Sequence, residues 1–126
     1  MPTLLAILTT CLLVFLVPVR ALAVMPPHVR SFTPENGGVV TDGIVTIVGY
    51  SLGFVDPEQE IVVLDVRSQE PVPFTVTMDC VWEGEGDAPG ARQQRCTIEV
   101  FMDALVPGQE YELRFLDEVM KFTFKP

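Results

Sequence analysis

The side chains with the most definite chemistry are two cysteines, Cys80 and Cys96, with 15 residues between them. Oxidation of two thiols to a disulfide is the simplest use of such a pair in a small exported domain. In the chain-entropy model, closing a loop of this size stabilises the folded state by roughly 3 kcal/mol. We therefore expect a Cys80–Cys96 disulfide, with two free thiols as the weaker alternative.

Metal binding is the second chemistry to consider, because His28 is the only histidine and Met25 lies near it. Imidazole and thioether ligands suit copper. The turn at Pro107-Gly108 and the closing aromatic strand resemble those of periplasmic copper-resistance proteins of the CopC type, which bind copper through an N-terminal histidine and methionine-rich segments. This chain departs from them because its processed N-terminus would be Val24 and it has no second histidine. A copper carrier remains an alternative, and we expect no cofactor.

Three carboxylates, Glu83, Glu85 and Asp87, alternate with glycines in one short segment. Calcium prefers several oxygen ligands on a flexible backbone, so a cation site is conceivable there. The segment lacks the bidentate acid that completes an EF-hand loop, and we expect a solvated acidic hairpin tip. With one histidine and no glycine-flanked nucleophile motif, the chain offers little for nucleophilic catalysis. We expect that it is not an enzyme.

The first 23 residues have the pattern of a secretory signal. An almost unbroken apolar run from residue 4 to residue 17 precedes Pro18 and the small residues Ala21 and Ala23, which predicts cleavage after Ala23. The run is shorter than the roughly 20 apolar residues of a transmembrane helix. No Lys or Arg precedes it, so a retained anchor on a membrane-complex subunit is the alternative. We expect a leader at 1–23 and one exported domain at 24–126, in the periplasm or outside the cell.

Acidic residues dominate the part of the chain after the leader. Loss of Arg20 with the leader leaves seven basic residues against seventeen acidic ones, a formal charge of −10. This charge argues against binding to nucleic acid or to an anionic membrane surface. The charge mainly favours solubility, with cation binding or a basic partner as the alternatives. We expect the partner to be another protein or a cell-surface component.

Apolar and polar residues alternate with a period near two after residue 27, which indicates half-buried strands and almost no helix. Seven strands are predicted, at about 29–33, 43–49, 60–67, 72–82, 95–102, 110–116 and 119–125. The third carries Val62, Leu64 and Val66 on one face. Both cysteines fall on the apolar faces of the fourth and fifth strands. Short strands separated by Pro- and Gly-rich turns predict an all-β fold, an antiparallel β-sandwich of about seven strands with one disulfide.

Two motifs resemble those of immunoglobulin-like domains of the IPT/TIG or bacterial Ig-like type. A turn at Pro34 and Gly37-Gly38 leads into the strand Val45-Thr46-Ile47-Val48-Gly49, as at the start of IPT/TIG domains. The segment Leu105-Val106-Pro107-Gly108-Gln109-Glu110-Tyr111 is similar to the tyrosine corner of many such sandwiches. The resemblance implies that the Tyr111 ring packs inward and its hydroxyl bonds back to the upstream turn. It also implies a role in mediating contacts, without a common active site.

Two places could supply a contact surface. Trp82 shares the apolar side of its strand with Cys80, so it either covers the disulfide, which we favour, or stands exposed as a binding anchor. The loop after the second strand is partly apolar and carries Tyr50, Leu52 and Phe54. We expect a non-catalytic module that binds its partner through such loops or through a sheet edge.

Overall fold

Eight strands account for most of the structure, a computed structural model that describes residues 26–84 and 92–126. The predicted leader, residues 1–23, lies outside these ranges. Three of the candidate metal ligands also lie outside them: Met25, Glu85 and Asp87. The strands are β1 His28–Thr33, β2 Gly38–Val40, β3 Ile44–Tyr50, β4 Val62–Asp65, β5 Thr75–Glu83, β6 Gln93–Phe101, β7 Glu110–Phe115 and β8 Glu118–Phe124. In the described ranges, helix is limited to one turn each at Leu52–Phe54 (3₁₀) and Pro57–Glu60 (α).

The strands form two four-stranded sheets. The first sheet has the order β1-β3-β6-β5 with every pair antiparallel, and the second has the order β2-β8-β7-β4. In the second sheet β2 runs parallel to β8, while the other pairs are antiparallel. The prediction of a purely antiparallel arrangement is therefore wrong at this pair. The chain changes sheets after β1, where Gly37 N donates to Lys121 O at 2.7 Å and Asn36 Oδ1 accepts from Lys121 N at 2.8 Å.

Two strand predictions need correction. The sequence did not predict β2, because three residues are too few to show an alternation. The third predicted strand begins later than expected because Pro57–Glu60 forms a helical turn, started by Asp56, whose Oδ1 accepts from Glu58 N at 3.1 Å. Its core face is also the other one: Ile61 and Val63 are buried, whereas Val62 is exposed.

One hydrophobic core lies between the sheets. The first sheet contributes alternate residues of β3 and β6, and the second contributes alternate residues of β7 and β8. The fully buried members include Val45, Ile47, Ile98, Val100, Leu113, Phe115 and Met120. These inward positions are the ones that the period-two pattern predicted. Gly49 is required beside this core, because a Cβ there would strike the carbonyl oxygen of His28.

The predicted disulfide between Cys80 and Cys96 is present. The two cysteines are direct partners in the β5–β6 register, and their Cα atoms lie 4.0 Å apart. The bridge therefore joins neighbouring strands of the first sheet and does not connect the two sheets. Cys96 is fully buried, and Cys80 is half-buried because β5 is the last strand of its sheet.

Tyr111 makes the predicted hydrogen bond to the turn before β7. Its hydroxyl accepts from Val106 N at 2.8 Å, and the residue is almost completely buried. The ring stacks on Phe122 of the neighbouring strand, with centroids 5.6 Å apart. The contact fixes the path by which the chain enters β7.

Removing the disulfide should lower the free energy of unfolding by roughly 3 kcal/mol, because the unfolded chain regains the freedom of the closed loop. Urea unfolding of the double variant Cys80→Ala/Cys96→Ala, measured against the oxidised protein, tests this. Reduced wild-type protein is the matched control, since it loses the bridge without losing side-chain volume. An unchanged unfolding midpoint after complete reduction would contradict the expected stabilisation.

Tyr111→Phe should lower the free energy of unfolding by about 1 kcal/mol, because it removes the hydrogen bond to Val106 N. Tyr50→Phe is the matched control: its hydroxyl accepts a hydrogen bond from Arg30 at an exposed position, so water replaces the lost bond. Thermal and urea unfolding should therefore separate the two variants. Equal losses would show that the Tyr111 hydroxyl has no special part in the turn.

Candidate functional site

The loop after β3 is held against the end of β6. Ser51 takes a left-handed backbone conformation (φ 58°), and its N–H donates to Gln94 O at 2.9 Å. This turn directs Leu52 into the core, where it is fully buried beside Gly49. Leu52 was predicted as a contact residue, and this is wrong because its side chain has no surface to offer.

Phe54 and Trp82 are both exposed at the end of the first sheet where Gln94 lies. Phe54 is 74% exposed and Trp82 62% exposed. Trp82 is the register partner of Gln94 on β6, and Gln94 Oε1 accepts from Gly53 N at 3.1 Å. A Cβ on Gly53 would lie 2.6 Å from Gln94 Nε2, so glycine permits this close approach. We call the group Gly53, Phe54, Trp82 and Gln94 the end surface.

The position of Trp82 bears on the two interpretations that the sequence left open, a residue that covers the disulfide or an exposed binding anchor. It follows Cys80 by two residues and so points to the same side of β5. The hydrophobic core does not extend as far along β5 as Trp82, however, and most of the Trp82 side chain remains in contact with solvent. The exposure of Trp82 agrees with the alternative of an exposed aromatic residue rather than with the favoured interpretation, in which it covers the disulfide.

Tyr50 belongs to a separate cluster on the outer face of the first sheet. A register shift between Val29 and Ser31 places Arg30 in a bulge, and Arg30 Nη1 donates to the Tyr50 hydroxyl at 2.7 Å. The His28 and Tyr50 rings stack with centroids 5.4 Å apart. The sequence suggested Tyr50 as a contact residue but gave no sign of its partners, because a bulge does not show in a short alternating segment. Tyr50 is half-buried under these two side chains.

Of the candidate metal ligands, only His28 and Glu83 lie in the described residues. Glu83 pairs with Arg95 at 3.0 Å across β5 and β6, and the His28 Nδ1 atom lies 3.2 Å from Pro26 O. Across residues 26–84 and 92–126, no group of three or more His, Cys, Asp or Glu side chains is placed to hold a metal ion.

A shallow hollow of about 510 Å³ lies at the opposite end of the first sheet. Phe74, Phe101 and Met102 line it together with the carboxylates of Asp42 and Asp103. Asp42 Oδ1 accepts from Ile44 N at 3.1 Å, so this carboxylate also fixes the start of β3. The sequence did not predict the hollow, since its walls come from three separate strand ends.

No protein-family model, no curated protein and no solved structure matches the chain. In the ranges that the structure describes, no helix is long and apolar enough to cross a membrane. The surfaces described above therefore provide the basis for a functional assignment.

Proposed function

We propose that this chain is an exported, non-catalytic immunoglobulin-like module that binds a protein partner or a cell-surface component through the end surface. The observation that carries the proposal is the exposure of two aromatic rings, Phe54 and Trp82, at the end of the first sheet where Gln94 lies. Tryptophan is enriched among the residues that dominate protein–protein binding energies, because its large ring removes much apolar surface from water when it is buried in an interface.

The order of the strands supports an immunoglobulin-like assignment. Constant-type immunoglobulin domains place their first, second, fifth and fourth strands in one sheet and the remaining three in the other. The sheet β1-β3-β6-β5 follows the first arrangement, and β8-β7-β4 follows the second if β2 is counted as a continuation of β1. The Tyr111 hydrogen bond corresponds to the tyrosine corner. The disulfide departs from the antibody pattern, in which the bridge joins the two sheets.

The end surface is suited to binding because its backbone is already fixed. Ser51 N and Gly53 N both bond to Gln94, so the turn that carries Phe54 is tied to β6 at two points. The disulfide holds β5 to β6 two residues before Trp82. A surface ordered before binding loses less conformational entropy when the partner docks.

Export is supported by the disulfide, since such bonds persist in oxidising compartments such as the periplasm and the extracellular space. We therefore expect the protein recovered from its native host to lack residues 1–23 and to begin at Val24. Intact-mass measurement with N-terminal sequencing tests this. A mass that retains the apolar stretch would favour the membrane-anchored alternative over a free exported domain.

Phe54→Ser should weaken capture of the native partner from envelope or culture-medium fractions at least tenfold, because it removes an exposed aromatic ring without disturbing the core. Val106→Ser is the matched control, as Val106 is 52% exposed but lies in the turn before β7. The two immobilised variants and the wild-type protein are compared by quantitative mass spectrometry. Equal recovery of every enriched protein by Phe54→Ser and the wild type would contradict a role for the end surface.

A further inference from the structure

Strand β5 ends the first sheet and leaves one row of its backbone groups facing outward. The direction in which these N–H and C=O groups point follows from the hydrogen bonds of β6, the neighbouring strand. Gln94 O accepts from Ser51 N, and Met102 N donates to Gly43 O, so the even-numbered residues of β6 bond toward β3. Its odd-numbered residues therefore bond toward β5, at Thr77, Asp79 and Val81. The N–H and C=O groups of Val76, Met78, Cys80 and Trp82 consequently point away from β6. We call this row the β5 edge.

The short distance between the cysteines agrees with this assignment. Opposed residues of an antiparallel pair are closer, at about 4.5 Å, where they exchange no hydrogen bonds, and more widely spaced, at about 5.5 Å, where they do. The Cys80 and Cys96 Cα atoms are 4.0 Å apart, which marks a pair of the first kind. In the part of the chain that the structure describes, the β5 edge has no backbone hydrogen-bond partner.

The other three sheet edges are bulged or short, whereas the β5 edge is long and regular. Strand β1 has the bulge at Arg30 and stops at Pro34. Strands β2 and β4 are only three and four residues long. Strand β5 has nine residues, with no proline, no bulge and no lysine or arginine. Bulges, prolines, short length, charged side chains and a covering helix or loop are the usual protections of an exposed edge. Of these, β5 has its two carboxylates and the nearby helical turn Pro57–Glu60.

The charge beside the β5 edge is negative. Asp79 and Glu83 stand four residues apart on the outer face of β5. Asp79 is exposed, whereas Glu83 is paired with Arg95 of β6 at 3.0 Å. The helical turn Pro57–Glu60 lies close to β5 and adds the exposed carboxylates of Glu58 and Glu60. An incoming strand would therefore place side chains of one face next to carboxylates, and those of the other face next to Val76, Met78 and Trp82.

We propose that the β5 edge binds an extended segment of a partner protein by strand addition, and that this segment alternates basic with apolar residues. The inference rests on the proposed function and specifies its partner. Main-chain hydrogen bonds to the four outward residues would supply affinity, and the alternating side chains would supply specificity. A second copy of the chain is a poor occupant, because an antiparallel β5–β5 pair would bring its own carboxylates together on a chain whose net charge is −9.

The probe is a synthetic peptide of the length of β5, acetylated and amidated, in which Val alternates with Thr or Lys. One lysine is placed to meet Asp79, since Glu83 is already paired with Arg95. Trp82 is the only tryptophan and lies on β5, so its fluorescence reports binding directly. We expect a saturable shift of its emission to shorter wavelength as the peptide covers the ring. The same peptide N-methylated at the residues that face β5 keeps its side chains but cannot pair, and should show no saturable binding.

The matched protein variants are Asp79→Lys and Glu99→Lys. Glu99 lies on the same outer face, opposite Thr77 on the interior strand β6, so both variants change the net charge equally. Asp79→Lys should weaken binding of the basic peptide about tenfold, which corresponds to about 1.4 kcal/mol, while Glu99→Lys should change it less than threefold. Equal binding of the N-methylated peptide, or equal effects of the two variants, would overturn strand addition. So would the absence of any binding by the basic peptide.

The same experiments separate this inference from the proposed function. Peptide binding that survives Phe54→Ser but is lost in Asp79→Lys supports the β5 edge even if no native partner depends on Phe54. Native capture that depends on Phe54, together with a peptide that does not bind, overturns strand addition and leaves the end surface in place. A concentration-dependent dimer in sedimentation that Asp79→Lys strengthens would identify a second copy as the occupant and overturn the proposal.

Discussion

Burial of alternate side chains along β6 is the constraint on which the first sheet depends. Cys96, Ile98 and Val100 are all completely buried. A shift of one residue in the pairing of β6 would turn all of them toward solvent. The same register sets Cys96 opposite Cys80 and decides which backbone groups of β6 bond to β3 and which to β5. One pattern of apolar residues in β6 thus determines three features of the first sheet. These are the disulfide, the hydrogen bond that attaches the turn at Ser51, and the outward direction of the unpaired N–H and C=O groups of β5.

The sequence predicted the strands correctly wherever the alternation of apolar and polar residues was long. It failed where contacts between residues far apart in the chain determine the structure. Strands β6 and β7 have the inward faces that their periodicity predicted, and the cysteine pair and the Tyr111 hydrogen bond are confirmed. The sequence missed β2 because its parallel pairing depends on Asn36 and Gly37 meeting Lys121 on a remote strand. It placed β4 in the wrong phase because a run of apolar residues does not say which ones face the core.

The candidate site was predictable only in part, for a related reason. Alternation gives the side of a strand on which Trp82 lies, but it does not say where along the strand the core ends. Phe54 is exposed in its loop, whereas Leu52, two residues earlier, is buried in the core. Which strand forms an edge depends on the order of strands in the sheet, and no local pattern contains that order. Trp82 belongs to both surfaces, so the end surface and the β5 edge form one continuous region.

The location of the disulfide within a single sheet has one more consequence, which concerns proteolysis. The bridge encloses residues 81–95, and with them the whole connection between β5, which ends at Glu83, and β6, which begins at Gln93. A protease that cuts inside this connection would leave two polypeptides that are still joined through sulfur. The fragment up to the cut would keep β1 to β5, and the remainder would keep β6 to β8, so both halves of the core would stay attached. Cleavage there would appear on a gel only after reduction.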